Sequence, residues 1–375
     1  MTTLSLLSDL VSVNSINPSL VPGAPGEAAV AEVAAHALRA GGLDVVFQEA
    51  APGRPNVIGV LEGREAGPAV MLCGHLDTVG VEGMTNPFTP RVADGRLYGR
   101  GAQDMKGGVA AMIAAAVELA HNWRRGRLIV ACVADEEYAS AGADALVKAW
   151  TADAAIVTEP TDLAMAVGHK GFAWLEVVTT GRAAHGSRPL EGRDAIVDMA
   201  RVLMALEATD RELQGRSPSE HQGTPSLHAS IISGGRELSV YPDRCVLQFE
   251  RRTVTSEDDR VVVGEVEAIL AHLRAADAAF LGAVRLLTSR PPYRLSPSAP
   301  LPVALADALT ARGLSAAPVG MSFWTDAAIL AGAGIPSVLF GPGGAGLHSI
   351  EEYVTLADID VCRDVLVETV KRIVG

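Results

Sequence analysis

Five potential metal ligands, His75, Asp104, Glu137, Glu159 and His348, are each expected where a strand gives way to a short loop, and this recurrence constrains the fold more than any other feature. They lie in MLCGHLDTVG, GRGAQDMKGG, IVACVADEEY, AAIVTEPTD and GPGGAGLHSIEEY. Open α/β sheets place their sites beyond the carboxyl ends of the strands, where side chains distant in sequence meet. Two imidazoles and three carboxylates form a borderline-to-hard donor set that suits a pair of divalent ions such as zinc, manganese or cobalt. Metal-assisted hydrolysis is the first chemistry such a set implies.

The residue types support this piece by piece. An apolar strand breaks at Gly74 and presents His75, with Asp77 two residues on along the same side of an extended segment. A ligating imidazole needs its other ring N–H held by an acceptor, so Asp77 is expected to orient His75 rather than to bind metal. Asp104 stands among glycines just ahead of an apolar helix expected over 108–119. A carboxylate has two free oxygens and can bridge ions ~3.5–4 Å apart. The adjacent Glu136 and Glu137 point in different directions, so one can bind metal while the other handles protons. Taken singly, each residue has a structural explanation, such as a hydrogen-bonded histidine, a helix N-terminal carboxylate or a solvated charge run. All five in this order do not.

The surrounding pattern is α/β. An Ala-rich helix at 26–40 precedes strands at 43–48, 56–61 and 69–73; after the helix at 108–119 come a strand at 127–134, a helix at 142–150 and a strand at 154–158. The character then changes. A strand at 174–180, a helix at 195–206, strands at 226–233 and 244–251, a helix at about 258–275 and a strand near 284–287 give a βαββαβ order, the ferredoxin-like split arrangement. Pro291, Pro292, Pro297 and Pro300 make a stiff exit suited to a hinge. A helix at 301–312, the motif at 321–328 and a strand at 337–340 then rejoin the first sheet. The expected fold is therefore α/β, with a mixed-sheet catalytic domain over 1–168 and 291–375 and an inserted α+β domain over 169–290. A chain of 375 residues with 49% hydrophobic content is long and apolar enough for more than one core.

Composition excludes several classes. A net charge of −13 argues against nucleic acid, because phosphate binding needs clustered Lys and Arg. Cys73, Cys132, Cys245 and Cys362 are widely spaced without a C-x-x-C, so a reduced, cytoplasmic protein is expected rather than a disulfide framework. The start, MTTLSLLSDLVSV, lacks a basic n-region and reads as an amphipathic helix, and no apolar run is long enough to span a membrane.

GHLDTV, GRGAQDMKGG, ADEEY, TEP, HGSRP and FGPGGAGLHSIEEYV resemble the signature blocks of the two-zinc hydrolases that include acetylornithine deacetylase, succinyl-diaminopimelate desuccinylase, aminoacylase-1 and bacterial glutamate carboxypeptidases. The resemblance covers essentially the whole chain. It implies one divalent ion, zinc or else cobalt or manganese, held by His75, Asp104 and Glu159. A second is implied at Asp104, Glu137 and His348, with Asp104 as the bridge. It further implies Glu136 as general base and Asp77 as the residue that orients His75. In the inserted domain, expected to serve as lid and dimerisation unit, it implies that His185 polarises the scissile carbonyl, often from the neighbouring subunit of a homodimer. Arg252, ten residues after Pro242, matches the family's arginine for the substrate carboxylate, and Arg251 beside it leaves the register open. A rigid guanidinium fork suits that task. The turn from Gly341 to Gly346 is expected to anchor the amino-acid half through its N–H groups. Ser239 departs from the pattern, since family members commonly have Asn three residues before the proline. The expected substrate is an N-acyl amino acid, as for acetylornithine deacetylase, or alternatively a dipeptide, a glutamate-releasing carboxypeptidase substrate or an N-succinyl amino acid. A non-catalytic binding protein on the same fold would be expected to have lost some of these residues, and all are present.

Overall fold

The computed structural model describes residues 2–375. The chain divides into two compact units. One comprises the residues up to Val167 with Leu295–Val319 and Thr325–Gly375; the other comprises Gly168–Arg294 and Gly320–Trp324.

In the first unit a mixed sheet runs in the order Asp44–Ala51, Arg54–Glu62, Arg125–Val133, Glu65–His75, Ala154–Val157 and Ser337–Leu339. The last four of these are mutually parallel neighbours. His75 pairs with Val133, Cys73 with Val157 and Leu339 with Val157, so the chain leaves all four strands at the same end of the sheet. Strands covered on both faces read as continuous apolar runs, and Val70 to Cys73, Leu128 to Val133 and Ala154 to Val157 are all buried. The helix Gly107–Ala120 is buried almost all round, which accounts for its Gly, Ala, Val, Met and Ile composition. At Gly108 a Cβ would run into the Thr158 carbonyl, so only glycine lets this helix start against the loop that carries Glu159. The N-terminal helix Thr3–Ser12 is amphipathic, with a capping box from Thr2 and Ser5 and a buried face of Leu6, Leu7, Leu10 and Val11. The C-terminal helix Leu356–Val374 packs into the same core through Cys362, Val365, Leu366 and Val370.

A second, small antiparallel sheet is formed by Gly344–Ala345, Tyr353–Thr355, Arg96–Tyr98 and Arg91–Ala93. It fastens the segment leading to Asp104 against the hairpin that carries His348.

The other unit has a four-stranded antiparallel sheet in the order Ser226–Gly234, Arg244–Thr253, Gly171–Thr180 and Leu281–Arg290, with helices Ala195–Gln214 and Asp259–Ala276. Arg244–Thr253 alternates strictly between buried and less buried positions, as a sheet with one covered face requires. Its core is formed by Leu175, Val177, Met199, Val202, Leu247, Phe249, Val266 and Phe280. The helices are capped by the side chains of Asp194 and Asp258. The motif expected to rejoin the catalytic sheet from residue 321 does so at its start, where Val319–Met321 pairs with Ala166–His169, while the residues on to Trp324 group with this unit. Trp324 packs edge-on to Phe172 and His169 and donates to the Pro291 carbonyl at 3.1 Å.

All four cysteines are free and buried. Among the described residues no helix is long and apolar enough to cross a membrane.

Candidate metal centre

His75 is the last residue of its strand, and its ring is held from behind. Nδ1 lies 3.0 Å from the Asp77 main-chain carbonyl and 3.6 Å from Asp77 Oδ1, while Nε2 faces Asp104 Oδ1 at 3.0 Å. Of the two Asp77 groups that face the imidazole, the nearer acceptor is its backbone carbonyl. The Asp77 carboxylate is committed elsewhere, accepting the Glu136 N–H on Oδ1 and the Glu137 N–H on Oδ2, each at 3.1 Å, and Asn17 Nδ2 on Oδ2 at 2.8 Å. Asp77 therefore shapes the turn that presents the glutamate pair.

Asp104 does not sit at a strand exit. It occupies an irregular turn, Ala102–Lys106, with φ −114° and ψ 97°, immediately before the helix Gly107–Ala120. Glu352 holds that turn: its buried carboxylate accepts the N–H groups of Gly101, Gln103 and Asp104 at 2.9–3.0 Å, and Arg100 Nη1 at 2.7 Å balances its charge. The only signal in the sequence was its place four residues after His348. His348, in a left-handed conformation with φ 58°, puts Nε2 3.3 Å from Asp104 Oδ2 and 3.1 Å from Glu137 Oε2.

These side chains form two donor groups, His75 with Asp104 and Glu159, and Asp104 with Glu137 and His348. Within each group the ligand atoms lie within 4.8 Å of one another. Asp104 belongs to both. Glu136 belongs to neither, although its Oε2 is 4.0 Å from His75 Nε2. Several observations fit these donors to cations. Glu137 Oε1 is buried without a hydrogen-bond partner, a costly state for a carboxylate. Burial, followed by the neighbouring Glu159 charge, pushes the Glu136 carboxyl well above its ordinary value, and burial with the Asp104 charge does the same to Glu159. Hydrogen bonds to Asp104 and Glu137 push His348 up to about 10. Burial alone would lower His75, but Asp104 and Glu159 hold it well above its ordinary value. A compact set of imidazole nitrogens and carboxylate oxygens with this excess of negative charge suits divalent ions of borderline hardness.

Gly341, expected to offer its amide to substrate, donates that N–H to Thr161 Oγ1 at 3.1 Å. A Cβ there would overlap the Glu159 and Thr158 carbonyls, so the glycine serves the close approach that fixes the Glu159 loop. In the other unit, the Arg251 side chain is fully buried and paired with Glu257 and Glu265. Arg252 is partly exposed, bonded to Glu250 at 2.6 Å, with its guanidinium 5.7 Å from the centre of the Phe172 ring. Of the two, only Arg252 is accessible to a ligand. His185 is exposed, with Nδ1 2.8 Å from Ser187 Oγ, and the Ser239 carbonyl accepts the N–H of the adjoining Gly186 at 2.7 Å.

Residues 71–372 match Peptidase family M20/M25/M40. The chain is 31% identical to an acetylornithine deacetylase of Myxococcus xanthus over 327 residues, spanning 85% of this chain and 84% of that one. It is 27% identical to a succinyl-diaminopimelate desuccinylase of Gluconacetobacter diazotrophicus over 390 residues, spanning 99% and 97%. Its fold is similar to that of a tripeptidase from Staphylococcus aureus, with a TM-score of 0.82 at 22% identity over 99% of this chain and 97% of that one. The chain belongs to Peptidase family M20/M25/M40 and is a metal-dependent hydrolase of amide bonds.

Proposed function

We propose that this enzyme cleaves the amide bond of an N-acyl amino acid with a free α-carboxylate, in the manner of an acetylornithine deacetylase, with Glu136 as general base. The observation that carries the reading is the division among the acidic side chains: two donor groups share Asp104 and leave Glu136 beside them. Two divalent ions, most simply zinc, would be held by His75, Asp104 and Glu159 and by Asp104, Glu137 and His348, and when bound would supply Lewis acidity and lower the pKa of water from 15.7 toward ~7. Glu136 takes the proton of the attacking water and passes it to the leaving nitrogen. His185 donates to the developing oxyanion, a contribution of ~2.7–4 kcal/mol per donor in a well-studied protease. A release assay over N-acetyl, N-succinyl and dipeptide substrates with added zinc, manganese or cobalt tests the reading. Fastest turnover of an N-acetyl amino acid supports it. Preference for N-succinyl substrates would favour the second reading, which the near full-length match to a desuccinylase motivates. Preference for dipeptides would overturn both.

Arg252 is assigned to the substrate α-carboxylate, since Arg251 is fully buried among its own partners. Arg252→Ala is expected to weaken turnover of carboxylate-bearing substrates by ~1.5–3 kcal/mol in kcat/KM, the value of one charged hydrogen-bonding partner. The corresponding amides should be little affected. Equal losses for acid and amide would assign Arg252 a structural role.

The enzyme is assigned as a homodimer through its second unit. Ser226–Gly234 is an edge strand of that unit's sheet with Ile231 and Ile232 exposed, and Ile196, Val197 and Met204 of the neighbouring helix are exposed as well. An uncovered apolar edge invites pairing, most simply with a second copy about a twofold axis. If His185 completes the neighbour's site, mixing inactive His185→Ala chains with inactive Glu136→Gln chains restores activity, because one site of each mixed dimer then has both groups. No recovery despite verified subunit exchange would place His185 in its own chain's reaction or outside it.

A further inference from the structure

Behind the glutamate pair lies a buried polar network that the mechanism has not used. Asp135, the residue before Glu136, adopts a left-handed conformation with φ 69° that a non-glycine residue holds only when its surroundings fix it. Its main-chain N–H donates to Glu27 Oε1 at 3.1 Å. Its carboxylate accepts Arg54 Nη1 at 2.6 Å and Asn17 Nδ2 at 3.0 Å on Oδ1, and the Ala141 N–H at 3.3 Å on Oδ2. Arg54 binds Glu27 with the rest of its fork, through Nε at 2.9 Å and through Nη2. Asn17 Nδ2 also donates to Asp77, the carboxylate that accepts the N–H groups of Glu136 and Glu137. Asn17, Glu27 and Asp77 are fully buried, Asp135 is 3% exposed and Arg54 is 9% exposed.

These five residues come from separate places: the N-terminal loop, the start of helix Ala28–Ala40, the first residue of strand Arg54–Glu62, and the loops after Glu65–His75 and Arg125–Val133. They converge on one turn. Arg54 is the only cation hydrogen-bonded to the Glu27 and Asp135 carboxylates among the described residues. A buried ion pair is by itself weak grounds for stability, because burying charges offsets much of their attraction. This one is joined through Asn17 to Asp77, whose carboxylate accepts both amides of the glutamate pair. We propose that Arg54 is a positioning residue for hydrolysis: with Asn17 and Glu27 it sets the turn that aims Glu136 at the attacking water and Glu137 at the cation. The inference rests on the roles proposed for that pair.

The test compares Arg54→Ala, Arg54→Lys and Asn17→Ala with wild type and Glu136→Gln. For each, kcat and KM are measured on the loaded enzyme, metal affinity by calorimetry on the stripped protein, and folded fraction by thermal melting. Asn17→Ala removes the link between Asp77 and Asp135 without leaving a buried charge unbalanced, so it informs even where Arg54→Ala does not fold. Folded variants are expected to lose ~10–100-fold in kcat with KM little changed, and to bind one of the two ions more weakly. Free guanidinium ion should restore part of the kcat of Arg54→Ala, and lysine at position 54 should not substitute, since it lacks the fork. Wild-type kcat and metal affinities in folded Asn17→Ala and Arg54→Lys, or losses that follow the folded fraction and ignore guanidinium, would overturn the proposal. An active Glu136→Gln would instead overturn the underlying assignment of the base.

Discussion

Glu136→Gln is expected to lower kcat by ~10²–10⁴ while the metal content stays at the wild-type level. The amide keeps the size of the side chain and its place 4.0 Å from His75 Nε2, but it cannot carry a proton from water to the leaving nitrogen. Glu137→Gln should behave differently, because Glu137 Oε2 stands 3.1 Å from His348 and Oε1 is an orphaned buried acceptor. That variant should lose one ion before it loses anything else. Parallel metal analysis and steady-state kinetics on the two variants separate the roles. Were Glu136→Gln the one to lose metal, base and ligand would have to be exchanged.

Asp104→Ala is expected to abolish turnover and bring metal content down to at most a single ion per chain. Oδ1 of this side chain faces His75 and Oδ2 faces His348, so one truncation removes a donor from both groups. The loss should exceed that from any ligand belonging to one group, such as Glu159 or His348. Retention of the full metal complement with normal turnover would refute the shared carboxylate.

Much of this centre was legible in the sequence because each side chain follows an apolar run or a glycine cluster. His75 closes a strand whose last six residues are all buried, and Glu159 follows another buried strand by two residues. The βαββαβ order of the second unit was equally plain, since Arg244–Thr253 alternates with period two and its neighbours are bounded by Gly, Pro and Asp. What escaped is held by contacts remote in sequence. Glu352 bonds to amides some 250 positions away, and neither strand period nor helix period marks a carboxylate that meets backbone N–H groups. The short strands Arg91–Ala93, Arg96–Tyr98 and Tyr353–Thr355 are too brief for any periodicity to register. Asp77 lies beside His75, with Oδ1 3.6 Å from Nδ1, but its carboxylate has further partners. Spacing placed its carboxylate beside His75, whereas only the fold brings the Glu136 and Glu137 amides to it.

The dinuclear assignment is tested most directly by titrating the metal-stripped enzyme with zinc, manganese or cobalt, counting ions bound per chain against hydrolysis of a substrate from the release panel. His348, held up to about 10 without metal, is protonated at neutral pH and must release its proton to bind. Affinity should therefore strengthen as pH rises below about 10. Turnover is expected to be absent from the stripped protein and to reach its maximum when both donor groups are filled, at two ions per chain. Full activity without metal, or saturation of both binding and turnover by a single ion, would contradict the account.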